Sequence, residues 1–247
     1  MAAAKRKIRR SPPSAGSRSP ATKTATAARA PRRPSVLPIE LFFWPTSNGL
    51  KITIMLEECG LPYVIRPVNI NKGDQFKPEF LAISPNNRMP AITDPEGPDG
   101  KPVSIFESGA ILQYLGRKTG RFYPQGRGAS KVDQWLFWQV GHLGPTLGQL
   151  DHFRDYTQGN VDYPVERFTR EAYRLYGVME RGLQSSDFLG GRYSIADMAS
   201  WPWARNHEKR GLDIAEFPKV KAWIARVGAR PGVARGAKID EDLRRAG

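Results

Sequence analysis

Two short stretches hold residues whose types and spacing can do chemistry. In "FESGAIL", Glu107 and Ser108 stand where an apolar run gives way to helical spacing. A helix start offers unpaired backbone N–H groups, so a serine hydroxyl beside them can hold a carboxylate, while a glutamate can pair with an ammonium. A group bearing both charges on one carbon is the end of an amino acid. The same residues also make an ordinary helix cap, and the sequence leaves both readings open. The second stretch, "FFWPTSNGLKITIMLEECG", places Thr46, Ser47 and Asn48 ahead of a helix that carries Cys59, the only cysteine of the chain. Either Cys59 is a redox centre or the small polar residues of the turn carry the chemistry.

Position argues against Cys59. It shares a helical face with Ile52, Met55 and Leu56 and lies ten residues past Gly49, about 15 Å along the axis at 1.5 Å per residue. A core thiol is the expectation. A third stretch, "SPNNRMPAITD", puts Pro90 directly before a strand-like run. Proline lacks a ladder donor and is disfavoured inside a sheet. A cis Met89–Pro90 bond would turn the Met89 backbone outward, although only about one X–Pro bond in twenty is cis; on the motif alone a plain turn serves as well. In "YSIADMASW", Ser194 and Asp197 form a capping-box variant, which makes them holders of a buried helix start and not a nucleophilic pair. His142, His152 and His207 lack metal-ligand spacing, so no metal site is expected. There is no P-loop, dinucleotide glycine fingerprint or G-x-S-x-G elbow. Trp135, Phe137 and Trp138 read as core or domain interface, the body being too weakly basic for a single-strand groove.

The elements that must position these residues fall into two groups. "IELFFW", "YVIRPVNI", "MPAITD" and "VSIF" read as strands, the last two joined by the turn "PEGPDGKP". Helices are expected over "LKITIMLEECG", "KPEFLAIS" and "ESGAILQYLGRKTG". This order predicts an α/β domain over residues 37–120. Residues 121–128, within "RFYPQGRGAS", read as a linker, and 129–247 as an all-helical domain. Its helices are expected in "KVDQWLFWQVGHLGPTLGQLDHF", "PVERFTREAYRLYGVMERGL", "YSIADMASWPWARNHEKRG" and "FPKVKAWIARVGARP".

The net charge of +14 over 247 residues first suggests nucleic acid. Its placement does not. Ten Lys/Arg and no acid lie in residues 1–35, leaving 28 basic and 24 acidic side chains, a balance of +4, for the other 212. Residues 1–36 are expected to form a disordered basic tail, too poor in apolar residues to offset chain entropy. The tail lacks the apolar region of a secretory signal. Its Arg/Ser/Ala bias resembles an organelle transit peptide, and "KRKIRR" matches a nuclear signal or nucleic-acid arm. Nucleic acid is therefore expected, if at all, only through the tail. With one cysteine and no run of about 18 apolar residues, a reducing compartment and no membrane partner are expected.

Taken together, "PTSNGLKITIMLEE", "KGDQFKPEFLAISPNNRMPAI", "FESGAILQYL", "WLFWQVGHLGPTLGQ" and "LGGRYSIADMASWPW" resemble the cytosolic glutathione transferases, most closely the bacterial Nu-class, YfcG- and YghU-type glutathione-dependent disulfide-bond oxidoreductases. The resemblance runs from about Ile39 to Ile239. It implies a thioredoxin-like N-terminal domain followed by a glutathione-transferase-type helical domain, a homodimer, a cytoplasmic location (organelle targeting staying open), and glutathione as co-substrate with no metal. It makes Met89–Pro90 the family's cis-proline loop, with the Met89 backbone pairing the cysteinyl part of glutathione. Glu107 and Ser108 then take the γ-glutamyl ammonium and carboxylate. Gln75 reaches the glycyl end or backbone, and Arg174 is a further ligand.

The resemblance also sets the thiol beside Thr46 and Asn48, the catalytic pair, with Ser47 as a stand-in. A free thiol titrates near pH 8.5; lowering it by roughly two units, about 2.7 kcal/mol, makes it mostly ionised at pH 7. The implied chemistry uses no protein cysteine. A glutathione thiolate attacks a disulfide and a second glutathione resolves the mixed disulfide, with electrophile conjugation as a weaker activity. The alternatives are a conventional glutathione S-transferase and a non-enzymatic glutathione-binding regulatory protein.

Overall fold

The computed structural model describes residues 37–159 and 161–246; the expected disordered tail lies outside them. β1 (Ile39–Phe43) alternates buried and half-buried residues. It pairs in parallel with β2 (Tyr63–Pro67) and antiparallel with β3 (Ala91–Asp94), which pairs antiparallel with β4 (Val103–Phe106). The sheet order is β2-β1-β3-β4. A parallel β1–β2 pair requires a crossover, and α1 (Ser47–Cys59) supplies it. Thr46 caps α1 by accepting from the Gly49 amide at 3.1 Å, and Gly60 closes it in the left-handed conformation at φ 67°. Gly49 is obligatory here: a Cβ would stand 2.7 Å from the Phe43 ring and from the Trp44 carbonyl. The start of α1 is thereby pressed against the end of β1.

A short α2 (Pro78–Leu81) leads toward β3, and α3 (Ser108–Thr119) follows β4. Beyond it the described chain is helical. α4 (Arg127–Trp138), α5 (Gly144–Asp151), α6 (Asp162–Gly182), α7 (Ile195–Ala204), α8 (Pro218–Gly228) and α9 (Pro231–Ala246) pack on α1 and on one another. The long helix expected from residue 131 onward is interrupted by two π turns, Gln139–Leu143 after α4 and His152–Tyr156 after α5. Such turns rotate the residues beyond them relative to the 3.6-residue period, and often mark functional positions. Trp135 and Trp138 meet edge to face at 5.3 Å against the core, whereas Phe137 is 63 % exposed, so the aromatic cluster is not buried as a whole.

α9 has no counterpart in the apolar periodicity. It lies on α1 through small residues: a Cβ at Gly236 would be 2.8 Å from the Ile54 nitrogen, and the Thr53 hydroxyl donates to the Gly236 carbonyl at 3.3 Å. Glu58 accepts a bidentate pair from Arg230 at 2.7 and 3.0 Å at the same seam.

α7 starts as its sequence predicts. Ser194 and Asp197 form the reciprocal capping box. The Asp197 carboxylate also accepts from the Leu189 amide at 3.0 Å and the Trp223 indole at 2.8 Å. Burial pushes this carboxyl up to about 6, opposed by its four donors.

Candidate functional site

The loops after β2 and before β3, the mouths of α1 and α3, and the π-interrupted helices line an open cavity of about 740 Å³. Its floor is the turn before α1. The first amides of a helix have no intrahelical partner, and here they open beside Thr46, Ser47 and Asn48. Thr46 Oγ1 accepts from Gly49, which leaves its proton to donate; its one acceptor contact is the soft Met89 Sδ at 3.9 Å. Asn48 Oδ1 accepts from the Trp203 indole at 3.1 Å. Indole N–H is a donor only, so this bond fixes the amide's orientation and leaves Asn48 Nδ2 as a donor to the cavity.

A second wall comes from the start of α3. Glu107 has φ 68° and ψ 115°, a conformation that costs a non-glycine residue of order 1–3 kcal/mol. Its carboxylate accepts weakly from Asn86 Nδ2 at 3.4 Å. Ser108, 7 % exposed, accepts from the Lys51 ammonium at 3.2 Å. Lys51 is 1 % exposed and donates a second bond to Gln139 Oε1 at 2.6 Å. Burial drives its ammonium down to about 7, partly opposed by the negative charge of Glu107. Gln139 leads the first π turn; its Nε2 has no hydrogen-bond partner and lies where a Cβ on Gly144 would be 2.8 Å away.

The third wall is the loop before β3. The Met89–Pro90 bond is cis, and the ladder resumes only at Ala91, paired with Phe42 and Phe106. Met89 and Gln75 both line the cavity. Gln75 Nε2 donates to the Ile70 carbonyl at 3.4 Å while its buried Oε1 is unpartnered. Beyond the α1 mouth, Val140, Pro145, Gly148, His152, Tyr156 and Trp203 make a wider outer wall. The cavity thus carries donors at one helix mouth, an acid and a hydroxyl at another, and an unused acceptor at Gln75.

The glutathione S-transferase N-terminal domain model matches residues 47–118 and the C-terminal domain model matches residues 164–231. The disulfide-bond oxidoreductase YfcG of Escherichia coli (strain K12) is 49 % identical over 200 residues, covering 80 % of this chain and 93 % of the relative. The chain belongs to the glutathione S-transferase family. Among solved structures, a family member from Pseudomonas fluorescens with two glutathione bound is 44 % identical, with a TM-score of 0.76 over 80 % of this chain and 91 % of that one. A glutathione transferase from Pseudomonas putida, with one glutathione disulfide bound per subunit, is 40 % identical, with a TM-score of 0.79 over 82 % and 91 %. The thioredoxin-like sheet with helical C-terminal part is the fold of these neighbours.

In this glutathione S-transferase, Thr46, Asn48, Gln75, Met89, Glu107 and Ser108 come together at one cavity, and Pro90 lines a small adjoining pocket with Met89 and Glu107. Arg174 is not brought there. It lies on α6, 54 % exposed, and forms a bidentate pair with Glu171 at 2.6 and 2.8 Å. Cys59 does not line the cavity either. It is half-buried at the edge of the core and not within it, its Sγ lying 3.7 Å from the Thr119 hydroxyl, and burial pushes its thiol up.

Lys51, Gln139 and Trp203, whose side chains bond to the site, have no place in the sequence reading. Lys51 follows Asn48 by three residues and so shares its face, a signal that was present; Gln139 and Trp203 meet the site only through packing. Among the described residues no helix is long and apolar enough to cross a membrane, and no group of three or more His, Cys, Asp or Glu could hold a metal ion.

Proposed function

We propose that this family member is a glutathione-dependent disulfide-bond reductase whose reacting thiolate belongs to bound glutathione, held by Thr46 and Asn48. One observation carries the proposal: two side-chain donors and the free amides of α1 converge on the cavity, while the only cysteine lies off it. Donors aimed at a developing anion favour the thiolate. Glu107 and Ser108 take the γ-glutamyl ammonium and carboxylate, the Met89 backbone pairs with the cysteinyl unit, and the unused Gln75 Oε1 accepts from the glycyl side.

In the first step the glutathione sulfur attacks one sulfur of the substrate disulfide. An S–S bond forms as the substrate's S–S bond breaks, and the leaving thiolate takes a proton from solvent. A second glutathione thiolate attacks the glutathione sulfur of that mixed disulfide. It yields glutathione disulfide and releases the other substrate thiol, so two glutathiones are oxidised for each disulfide reduced. The outer wall of Val140, Pro145, His152, Tyr156 and Trp203 leaves room for the second partner. Relatives with two glutathiones or one glutathione disulfide bound support this arrangement. Conjugation to electrophiles is the minor activity of the same thiolate. The proposal includes a homodimer in the cytoplasm, in keeping with a single half-buried cysteine.

The test is turnover of hydroxyethyl disulfide at fixed glutathione, beside conjugation of an aryl halide. Disulfide reduction should be the faster and should fall in Asn48→Ala. Faster conjugation would make the protein a conventional transferase, and absence of both a binding protein.

A further inference from the structure

Among the described residues, Lys51 is the one buried cation on the cavity wall. Its Nζ carries three N–H donors, of which one goes to Gln139 Oε1 at 2.6 Å and one to Ser108 Oγ at 3.2 Å. Gln139 Oε1 can only accept, so that bond keeps the amine in place whatever its charge. Ser108 Oγ can accept or donate. When it accepts from an ammonium, its own proton is free to point outward, toward a carboxylate in the cavity. When Lys51 is neutral, its lone pair can accept the Ser108 proton, and Ser108 then turns an oxygen lone pair toward the carboxylate. The charge on Lys51 therefore sets the direction of the bond at Ser108.

We propose that Lys51 is a positioning residue that fixes the polarity of a Lys51–Ser108 relay, so that binding the ligand's α-carboxylate takes up a proton at Lys51. The inference rests on the glutathione reading of the cavity and goes beyond it, because Lys51, 1 % exposed, acts there through Ser108. An anion held by Ser108 adds a negative charge beside a fully buried ammonium and raises it; the ligand's ammonium offsets Glu107, whose charge already raises Lys51, so the net rise is what the nearer carboxylate adds beyond that loss. Arg88 and His152 also stand on the cavity wall. Of the helices packed on α1, α7 has its Asp197 tied to Ser194 and Trp223, and α9 has its Asp240 paired with Arg244; Glu107 is the charge that acts on Lys51.

S-methylglutathione is the probe, since it has no thiol to titrate. With Lys51 near 7 in the free protein and about one unit higher in the complex, Kd should weaken about six-fold between about pH 6.5 and about pH 8.5. At about pH 7.5 binding should take up about half a proton, read as the dependence of the calorimetric heat on buffer ionisation enthalpy. Lys51→Met should bind about tenfold more weakly at pH 6.5 and lose both the proton uptake and the pH slope, which a merely structural role would leave in place. The wild-type proton count stands even where that variant fails to fold. Binding without proton uptake in the wild type, or an unchanged count in Lys51→Met, overturns the relay and leaves the glutathione reading intact. No binding of S-methylglutathione at any pH overturns both.

Discussion

Trp203→Phe removes one proton donor and keeps most of the ring. In the native arrangement the indole holds Asn48 Oδ1 at 3.1 Å, so the amide presents Nδ2 to the site of the thiolate. A hydrogen bond of this kind is worth about 1 kcal/mol net, or about a five-fold preference for that orientation. Without it the amide can turn its oxygen toward the sulfur. The bound thiol should then rise by at most about 0.7 pH unit, and kcat/KM for disulfide reduction should fall two- to five-fold or about that. Asn48→Ala removes the donor to the thiolate itself, a charge-assisted bond worth about 1.5–3 kcal/mol, and should cost roughly 10- to 150-fold. Because Trp203 acts through Asn48, the effects should not add: in the Asn48→Ala background Trp203→Phe should cost less than about 1.5-fold. The assay is a double-mutant cycle on kcat/KM, with thiolate absorbance against pH for each variant. An equal loss from Trp203→Phe in both backgrounds would refute the orienting role and leave Trp203 as wall packing.

Glu107→Gly should raise stability by about 1 kcal/mol in urea unfolding, because glycine accepts φ 68° without strain, while glutathione affinity drops at least about tenfold; a destabilised variant would show that Glu107 is not strained. Asp197→Ala should cost more than about 3 kcal/mol, since four donors at 2.8–3.3 Å lose a buried acceptor; a change under about 1 kcal/mol in denaturant titration would contradict that network. For the ligand-free protein, burial lowers Lys51 to about 7, whereas an unfolded lysine titrates at about 10.4. Between these values the unfolded state binds the extra proton, so this residue's contribution to stability rises with pH and is flat below about 7. The wild type should therefore gain unfolding free energy relative to Lys51→Met from pH 7 to 9, and a constant difference would rule out a depressed lysine.

What sequence could reveal here follows the range of the interactions. The strand runs, the Gly60 stop and the Ser194–Asp197 box are local, set by residues within about four positions of each other, and the structure forms each of them. The cis bond at Met89–Pro90 was legible only through the family motif, since a turn satisfied the local chemistry equally well. Lys51, Gln139 and Trp203 are different. Their bonds to the site span 57, 88 and 155 residues, and no periodicity in one stretch records such a contact. Arg174 illustrates the converse: Glu171 sits three residues before it on α6, an i,i+3 partner that the sequence displayed and the structure uses. α9 was hidden because its buried face is short and made of small residues, Gly236 against Thr53 beside Val233 and Ala237. The π turns leave no sequence signal, because one extra residue per turn leaves composition unchanged.

Whose sulfur reacts is decided most directly by glutathione-dependent reduction of hydroxyethyl disulfide in Cys59→Ala and in Thr46→Ala/Asn48→Ala, side by side. We expect Cys59→Ala to keep wild-type turnover and the double variant to lose about a hundredfold or more in kcat/KM, its cradle for the thiolate gone. Loss of turnover in Cys59→Ala with full activity in the double variant would contradict a reaction carried by the sulfur of bound glutathione.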